Sequence, residues 1–243
     1  MIDTSDPFRH HPRLRDLVIP AEESTFRHID TNAILQFVTE HGGDPSFITP
    51  DEDRDTERAA FLKDRWDTDM WVFAYGSLIW DPAIVFSELR RAHAPGYARR
   101  FILVDTSGGR GSVASPGVMA ALDYGHGCDG LALRVPRELL EEETRRLWQR
   151  ERIGHAYLPA FITVQTEMGD VEALTFIADY KAYLIQPDLP YDRQVALCAT
   201  GEGFLGTSRA YVENIITHFE EMRIHDADLK QFWTDVCAHP AKP

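Results

Sequence analysis

The sequence lacks the features of disulfide-stabilised, zinc-binding and membrane proteins. Its 243 residues contain only three cysteines, Cys128, Cys198 and Cys237. An odd number at such wide spacings predicts neither a disulfide framework nor a zinc site, and it is typical of ordinary cytosolic thiols. There is also no run of about 18 apolar residues, which a transmembrane helix needs, and no apolar segment near the N-terminus, which a secretory signal needs. We therefore expect a cytoplasmic protein.

Positive charge is also scarce. Lysine and arginine total 25 against 39 aspartate and glutamate residues, which gives a formal net charge of −14. Such a chain has no electrostatic footprint for nucleic acid, and an anionic membrane surface would repel it. An anionic small molecule remains open as a substrate, provided that local hydrogen-bond donors bind it. We therefore expect a small-molecule substrate and neither nucleic acid nor membrane as partner, and the oligomeric state stays undetermined.

Apolar and aromatic residues are abundant enough to form a core. Hydrophobic residues make up 44% of the chain, including five Trp, eight Tyr and 13 Phe. Residues 1–68 are polar and charged, with a turn at Gly42-Gly43 and short helical patterns at Thr31–Val38 and Asp55–Trp66. We interpret residues 1–68 as an N-terminal extension, with the second helical pattern lying on the main domain, which spans residues 69–239.

The main domain begins with strands and ends with helices. Regular alternation of strand and helix is missing, so the pattern favours an α+β fold in which a small mixed or antiparallel sheet curls into a barrel with flanking helices. The predicted strands are Trp71–Tyr75, Phe101–Val104, Val118–Leu122, Gly130–Val135, Phe161–Gln165 and Glu172–Ala178. The predicted helices are Pro136–Arg150, Asp192–Ala199, one that starts at Thr207 or Ser208, and Ala227–Val236.

One acidic residue falls on the apolar side of the helix that follows Pro136. Its apolar stripe contains Leu140, Leu147 and Trp148, and at about 100° per residue Glu151 lies roughly 20° from Leu140. A carboxylate in that position is desolvated, which raises its pKa and suits it to take and return a proton. The alternative is a structural Glu that turns to solvent or pairs with Arg150 or Arg152.

The turn after the first strand is a candidate binding loop. Tyr75-Gly76-Ser77-Leu78 follows a buried apolar run. Gly76 permits a positive φ or a close approach to a ligand, and successive N–H groups there can bind a carboxylate. A plain turn is the alternative. Ser77 lacks the surroundings of a G-x-S-x-G nucleophile.

Three further patterns carry weaker signals. The Gly-rich stretch Thr106–Ser112 includes Arg110 but lacks the ending of a phosphate-binding P-loop, so it is either a mobile loop or a substrate contact. The pairs His10-His11 and His126/Cys128 have no partner ligands at a usual metal spacing. A Cys–His nucleophile pair is not indicated by any spacing.

Five segments, taken in chain order, carry a family resemblance. They are WVFAYGSLIWDP (Trp71–Pro82), GGRGS with SPG (Gly108–Gly117), DGLALRVP (Asp129–Pro136), LWQRERIGHAYLP (Leu147–Pro159) and GFLGTSRAYV (Gly203–Val212). Together they resemble the ChaC family, the glutathione-specific γ-glutamylcyclotransferases, from about Trp71 to Cys237. No single motif is decisive, but five in register are specific.

The resemblance implies a fold, a reaction and a site. The family fold is a small mixed β-barrel with flanking helices, and the family reaction converts glutathione to 5-oxoproline and Cys-Gly without metal or organic cofactor. It implies that Glu151 is the catalytic acid–base residue. It also implies that the substrate contacts are Phe73, Ala74, Tyr75, Gly76, Ser77 and Leu78, with Arg110 and Tyr157 as further contacts.

Departures from the family pattern leave other functions open. Ala74 stands where the family usually has Gly, His155-Ala156 where many members have Gly-Gly, and Val118 where it has Arg. The missing Arg motivates an alternative, the same cyclisation on other γ-glutamyl amines or amino acids. A non-catalytic binding or regulatory protein on the same fold is a second alternative. A hydrolase that uses Ser77 or Cys128 is a distant third.

Overall fold

A computed structural model of the chain describes residues 6–40 and 45–240, so the turn predicted at Gly42-Gly43 lies outside the described residues. The principal strands are β1 (Met70–Ala74), β2 (Glu88–Ala94), β3 (Tyr97–Ser107), β4 (Ser112–Tyr124), β5 (Cys128–Val135), β6 (Tyr157–Thr166) and β7 (Gly169–Ala178), with a short pair β8 (Glu202–Gly203) and β9 (Gly206–Thr207). The helices are α1 (Thr31–Glu40), α2 (Asp51–Phe61), α3 (Leu140–Glu151), α4 (Tyr191–Thr200), α5 (Ser208–Met222) and α6 (Ala227–Ala238).

Five strands close into a barrel in the order β1-β5-β2-β6-β7. Neighbours in this ring are antiparallel except at the closure, where Trp71 and Val72 of β1 pair in parallel with Ala173 and Leu174 of β7. The β3–β4 hairpin extends from β7 through the parallel pair Leu122 and Ile177. The predicted mixed barrel with flanking helices is therefore confirmed.

The prediction omitted strand β2. Its sequence ELRRAHA contains two arginines and a histidine, so no apolar alternation marks it. The strand forms because β5 and β6 supply hydrogen-bonding partners on its two sides, and because Leu89 and two alanines fill the interior. Tertiary pairing here overrides a weak local pattern.

Helix α3 forms as its pattern predicts. A 3-10 turn at Arg137–Leu139 precedes the α-helix, with Pro136 as its N-cap. Leu140, Leu147 and Trp148 are buried, which confirms the apolar stripe. The helix ends at Glu151, so the stripe carries this carboxyl group to the end of the barrel where β1 ends and β6 begins.

The predicted position of α2 was wrong at both ends. The helix begins at Asp51 after Pro50, where three acidic residues face the positive end of the helix, and it ends at Phe61 instead of Trp66. The helix does lie on the main domain: Arg58 donates to Glu141 at 2.7 Å, and the Trp148 indole donates to Glu57 at 2.9 Å.

The N-terminal segment and the barrel share one core. Leu14, Val18 and Leu62 are buried in the same apolar cluster as the barrel strands. Backbone hydrogen bonds join Ile19 to Trp80 at 2.7 Å and Thr49 to Ile153 at 2.8 Å. The described residues of the segment before β1 therefore pack as part of the body that holds the end of α3 and the turn after β1.

Candidate functional site

A narrow cleft opens where β1, the turn after it, and the end of α3 meet. Alternation along β1 directs Phe73 and Tyr75 into the cleft, and the end of α3 brings Glu151 to it. Its lining residues are Phe73, Tyr75, Gly76, Ser77, Leu78, Ala120, Glu151, Tyr157, Thr175, Phe176 and Tyr211. Seven of the sequence-predicted site residues are thus brought together.

Glu151 is shielded from water. Its side chain is 13% exposed, and its Oε1 atom lies 3.3 Å from Nε of Arg150. Burial raises the pKa of Glu151, and the positive charge of Arg150 offsets only part of this, so the pKa stays above its ordinary value. The reading in which Glu151 turns to solvent is therefore wrong, whereas the contact with Arg150 exists. Arg152 turns away and binds Glu57 at 2.6 Å.

Three tyrosines form walls around this carboxylate. The Tyr75 hydroxyl donates to the carbonyl of Phe176 at 2.8 Å, and the Tyr157 hydroxyl donates to the carbonyl of Ala120 at 2.9 Å. Burial is the main cause that raises the pKa of Tyr75 and Tyr157, and it raises the pKa of Tyr211 to about 12. The nearby carboxylate of Glu151 acts in the same direction on all three. The three tyrosines are therefore uncharged at neutral pH. The group beside them that can gain or lose a proton is Glu151 or a bound ligand.

The turn after β1 approaches Tyr211 closely. Gly76 has φ −128°, so the positive φ considered from the sequence is not what requires glycine here. A Cβ atom at Gly76 would lie 2.5 Å from the Tyr211 hydroxyl, so glycine is required for space. Ser77 then begins a 3-10 turn that runs to Ile79. The first N–H groups of such a turn have no acceptor within it and are suited to bind a carboxylate or an oxyanion.

Two buried arginines fix this turn from behind. Arg150 donates to Ser77 Oγ at 2.8 Å and to the carbonyl oxygen of Asp81. Arg99 donates to the carbonyl oxygen of Tyr75 at 2.8 Å and to Asp226 at 2.7 Å. Both arginines therefore hold backbone positions of the turn with charge-assisted hydrogen bonds.

Two predicted contacts lie outside the lining of the cleft. Ala74 is fully buried and alternates with Phe73 and Tyr75, so its side chain lies on the other face of β1. Arg110 lies on the far side of Tyr211, with its guanidinium carbon 5.9 Å from the ring centroid, and donates to the carbonyl oxygen of Leu205.

The Gly-rich loop is tied down by two anchors. Asp105 Oδ2 accepts from the backbone N–H groups of Arg110 at 2.5 Å and Gly111 at 3.1 Å. The carbonyl oxygens of Gly108 and Gly109 accept from the backbone of Phe204 and Leu205. Two of the sequence motifs, GGRGS and GFLGTS, therefore pack on each other beside the cleft.

The groups that a hydrolase or a metal site would use are otherwise engaged. Ser77 Oγ accepts from Arg150, and burial raises the pKa of Cys128 to about 11, which disfavours a thiolate. His10 lies 3.1 Å from Glu88, away from the cleft. Within residues 6–40 and 45–240, three or more His, Cys, Asp or Glu side chains nowhere converge as a metal site.

Sequence reasoning missed several residues that form or support the site: Arg99, Ala120, Thr175, Phe176 and Tyr211. The sequence carried a signal for Tyr211, which shares a face of α5 with Ile215 and Phe219 and presents a hydroxyl where that stripe begins. The strand residues had no such signal, since their exposure to the cleft follows from barrel closure.

Comparison with solved structures defines the class of fold. The structure matches a crystal structure of the yeast γ-glutamyl cyclotransferase specific to glutathione with a TM-score of 0.65 and 20% identity, over 71% of this chain and 97% of that one. At this identity the likeness shows the fold, which is that of a γ-glutamylcyclotransferase.

Sequence comparison assigns the family. The chain is 34% identical to the glutathione-specific γ-glutamylcyclotransferase of Escherichia coli strain K12, over 79% of this chain and 83% of that protein. It is 31% identical to glutathione-specific γ-glutamylcyclotransferase 1 of Homo sapiens, over 58% of this chain and 63% of that protein. A ChaC-like family model matches residues 70–238. The chain belongs to the ChaC-like family, as its motifs predicted.

Proposed function

We propose that this protein is an enzyme that cleaves glutathione into 5-oxoproline and Cys-Gly, a glutathione-specific γ-glutamylcyclotransferase active in glutathione catabolism. The observation that carries the proposal is the buried carboxyl group of Glu151, which faces the glycine-containing turn in a cleft walled by tyrosines. The names of its relatives in Escherichia coli and Homo sapiens describe the same activity.

The reaction uses a nucleophile that the substrate itself carries. An ammonium group cannot attack, so Glu151 takes a proton from the α-ammonium group of the γ-glutamyl unit. The freed amine attacks the γ-carbonyl carbon of the same unit and forms a tetrahedral intermediate. Glu151 returns its proton to the cysteine nitrogen as that C–N bond breaks, and the ionised carboxylate then takes the remaining extra proton from the ring nitrogen, which leaves the neutral lactam and the amine of Cys-Gly; this last proton passes to the released amine or to water. One carboxyl group with a raised pKa suits these transfers.

The turn from Tyr75 to Leu78 would hold the substrate in the bent geometry that cyclisation needs. Orientation of this kind contributes several kcal/mol to intramolecular reactions. Backbone N–H groups at the start of the 3-10 turn are placed to stabilise a carboxylate or the developing oxyanion. Phe73 and Tyr157 would form apolar and aromatic contacts with the γ-glutamyl chain.

Two further residues have indirect roles in this proposal. Ala74 would contribute through the backbone of β1, since its side chain faces away. Arg110 would fix the Leu205 segment beside the cleft and so shape the part of the site that receives the Cys-Gly half. We assign the chemistry to residues 69–239, treat residues 1–68 as an extension that supports this domain, and place the enzyme in the cytoplasm, where glutathione and free thiols are abundant.

Incubation with reduced glutathione, followed by detection of 5-oxoproline and Cys-Gly, tests the proposal. We expect both products in equal amounts. If neither glutathione nor any other γ-glutamyl compound yields 5-oxoproline, the protein is a non-catalytic member of the fold and the proposal is wrong.

A second candidate function is the same cyclisation on other γ-glutamyl amines or amino acids. Val118 is fully buried, with its backbone N–H donating to Ser208 at 2.9 Å, and carries no cation for the glycine carboxylate of glutathione. Values of kcat/KM for a panel of γ-glutamyl compounds separate the two. Preference for a γ-glutamyl amino acid over glutathione would favour this candidate.

A further inference from the structure

The guanidinium group of Arg150 lies between two carboxylates. Its Nε atom is 3.3 Å from Glu151, and its Nη1 atom is 3.8 Å from Oδ1 of Asp81. Its well-aligned hydrogen bonds go elsewhere, to the Ser77 hydroxyl and to the backbone carbonyl of Asp81. Arg150 therefore acts on both carboxylates through its charge and holds the turn through its hydrogen bonds.

Asp81 is a buried carboxylate with one oxygen that makes no hydrogen bond to the described residues. The residue is 5% exposed, and its Oδ1 atom has no hydrogen-bond partner among the described residues. A buried carboxylate oxygen without a hydrogen bond is costly, so a cation must compensate it. Arg150 lies next to it, and the same cation is the charged neighbour of Glu151.

A residue of the N-terminal segment covers this arrangement. The Phe26 ring lies 4.1 Å from the guanidinium carbon of Arg150. Arg27, the next residue, fixes the segment to α3 by donating to Glu143 at 2.7 Å and 2.9 Å. The cover limits access of water to Arg150, so that its charge is screened less from Asp81 and Glu151.

The other groups that face Glu151 are uncharged at neutral pH. They are Tyr75 directly after β1, Tyr157 from β6 and Tyr211 from α5, and the pKa of each is raised. Arg110, which also lies against Tyr211, interacts with Asp81 and Arg150. Among the described residues, the charge that acts directly on Glu151 is Arg150, and Asp81 acts through it.

We propose that Asp81 is a positioning residue for the reaction: it shares Arg150 with Glu151, so that this cation does not pair fully with Glu151 and leaves the carboxyl group able to take and return a proton. The inference rests on the proposed function for its role in turnover. With the charge of Asp81 removed, Arg150 acts on Glu151 alone and stabilises its ionised form, which makes Glu151 a weaker base.

The test follows the titration of Glu151 in the Asp81→Asn variant by NMR of protein labelled with 13C at glutamate carboxyl groups, with Glu151→Gln to assign the resonance. We expect Glu151 to titrate about one pH unit lower than in the wild type. The acidic limb of kcat/KM for glutathione should move in the same direction. An unchanged or higher titration point would overturn the inference.

Matched variants separate charge from structure. Asp81→Ser removes the same charge and leaves room for water. It should also lower the titration point of Glu151, and it takes the place of Asp81→Asn if the Asn variant does not fold. Asp81→Glu keeps the negative charge and should therefore keep the titration point of Glu151 at its wild-type value. Asp123→Asn makes the same change at a buried aspartate paired with Arg100 at 2.6 Å, outside the cleft, and should leave Glu151 unchanged.

The NMR readout does not depend on turnover, so the two proposals fail separately. A wild type that forms no 5-oxoproline, with a lowered titration point in Asp81→Asn, would refute the proposed function and leave the charge sharing intact. An active wild type with an unmoved titration point would refute the inference alone.

Discussion

Two of the shielded glutamates, Glu88 in the barrel and Glu151 at the end of α3, have opposite surroundings. Glu88, at the start of β2, is 2% exposed and has Arg9 at 2.5 Å, Arg90 at 2.6 Å and His10 at 3.1 Å. Burial acts to raise the pKa of Glu88, but the hydrogen bond and charge of Arg90, together with Arg9 and His10, outweigh it and lower the pKa. Glu151 has tyrosine walls and one shared arginine, and its pKa is raised.

The difference shows that burial alone does not make a carboxylate functional. The Glu88 side chain exposes even less surface than that of Glu151, 2% against 13%, yet its partners hold it ionised, so it joins the N-terminal segment to the barrel. Glu151 has one shared arginine as its charged partner, so its pKa stays raised, and it faces a cleft. An incompletely compensated carboxylate beside a binding turn is the stronger sign of a reactive site.

The largest expected effect is the loss of turnover in Glu151→Gln. The amide cannot act as a base, so we expect kcat to fall by about 10²–10⁴-fold. The free energy of unfolding at pH 8 should be unchanged or higher, because the variant no longer buries an ionised carboxylate. Release of 5-oxoproline and urea-induced unfolding measure the two quantities. Near-normal kcat would remove Glu151 from the mechanism.

Glu88→Gln should have the opposite outcome. Loss of the charge removes the buried carboxylate that Arg9 and Arg90 share, and we expect the free energy of unfolding at pH 7 to fall by about 3 kcal/mol. The kcat of the folded protein should be unchanged, as Glu88 lies outside the cleft. A large loss of kcat in fully folded protein would show that the two glutamates are not functionally separate.

The two glutamates should also give pH dependences of opposite sign. The pKa of Glu88 is lowered, so its contribution to stability is present above about pH 4.3 and is lost as pH falls through the folded pKa. The pKa of Glu151 is raised, so stability decreases as pH rises from about 4.3 through its folded pKa. Unfolding free energies of wild type and both Gln variants, measured from about pH 2 to pH 8, test this. Differences of the same sign would contradict it.

The smallest expected effect concerns the wall formed by Tyr211. In Gly76→Ala the new Cβ displaces the Tyr211 hydroxyl, which would admit water to Glu151 and disturb the turn, and we expect kcat/KM to fall about tenfold. In Gly76→Ala/Tyr211→Phe the nearest atom of residue 211 is then the ring carbon at 3.7 Å, an ordinary contact. The double variant should match Tyr211→Phe alone. If the double variant instead shows the summed losses of kcat/KM from Gly76→Ala and Tyr211→Phe, displacement of the Tyr211 hydroxyl is not the cause of the effect of Gly76→Ala.

The sequence sufficed for features that local pattern determines. The stripe of Leu140, Leu147 and Trp148 predicted both the helix and the inward position of Glu151, because helical periodicity fixes which residues share a face. The apolar run before Gly76 likewise predicted β1 and the turn.

Features that depend on distant contacts were not predictable in the same way. Strand β2 carries Arg91, whose partners Glu167 and the carbonyl oxygen of Met222 lie elsewhere in the chain. The parallel pairing of β1 with β7 follows from closure of the barrel, and the position of Phe26 over Arg150 follows from the packing of the N-terminal segment on α3. Periodicity within one segment contains no information about them.

The shared core has a practical consequence for work on this protein. Leu14 and Val18 are buried in the apolar cluster that also contains the barrel strands and α5, and Phe26 and Arg27 lie against the helix that ends in Glu151. A chain shortened to begin at Met70 would retain every family motif and still lose part of its interior. Exchange of N-terminal segments between relatives should therefore succeed only when these buried side chains are transferred together with the residues they contact.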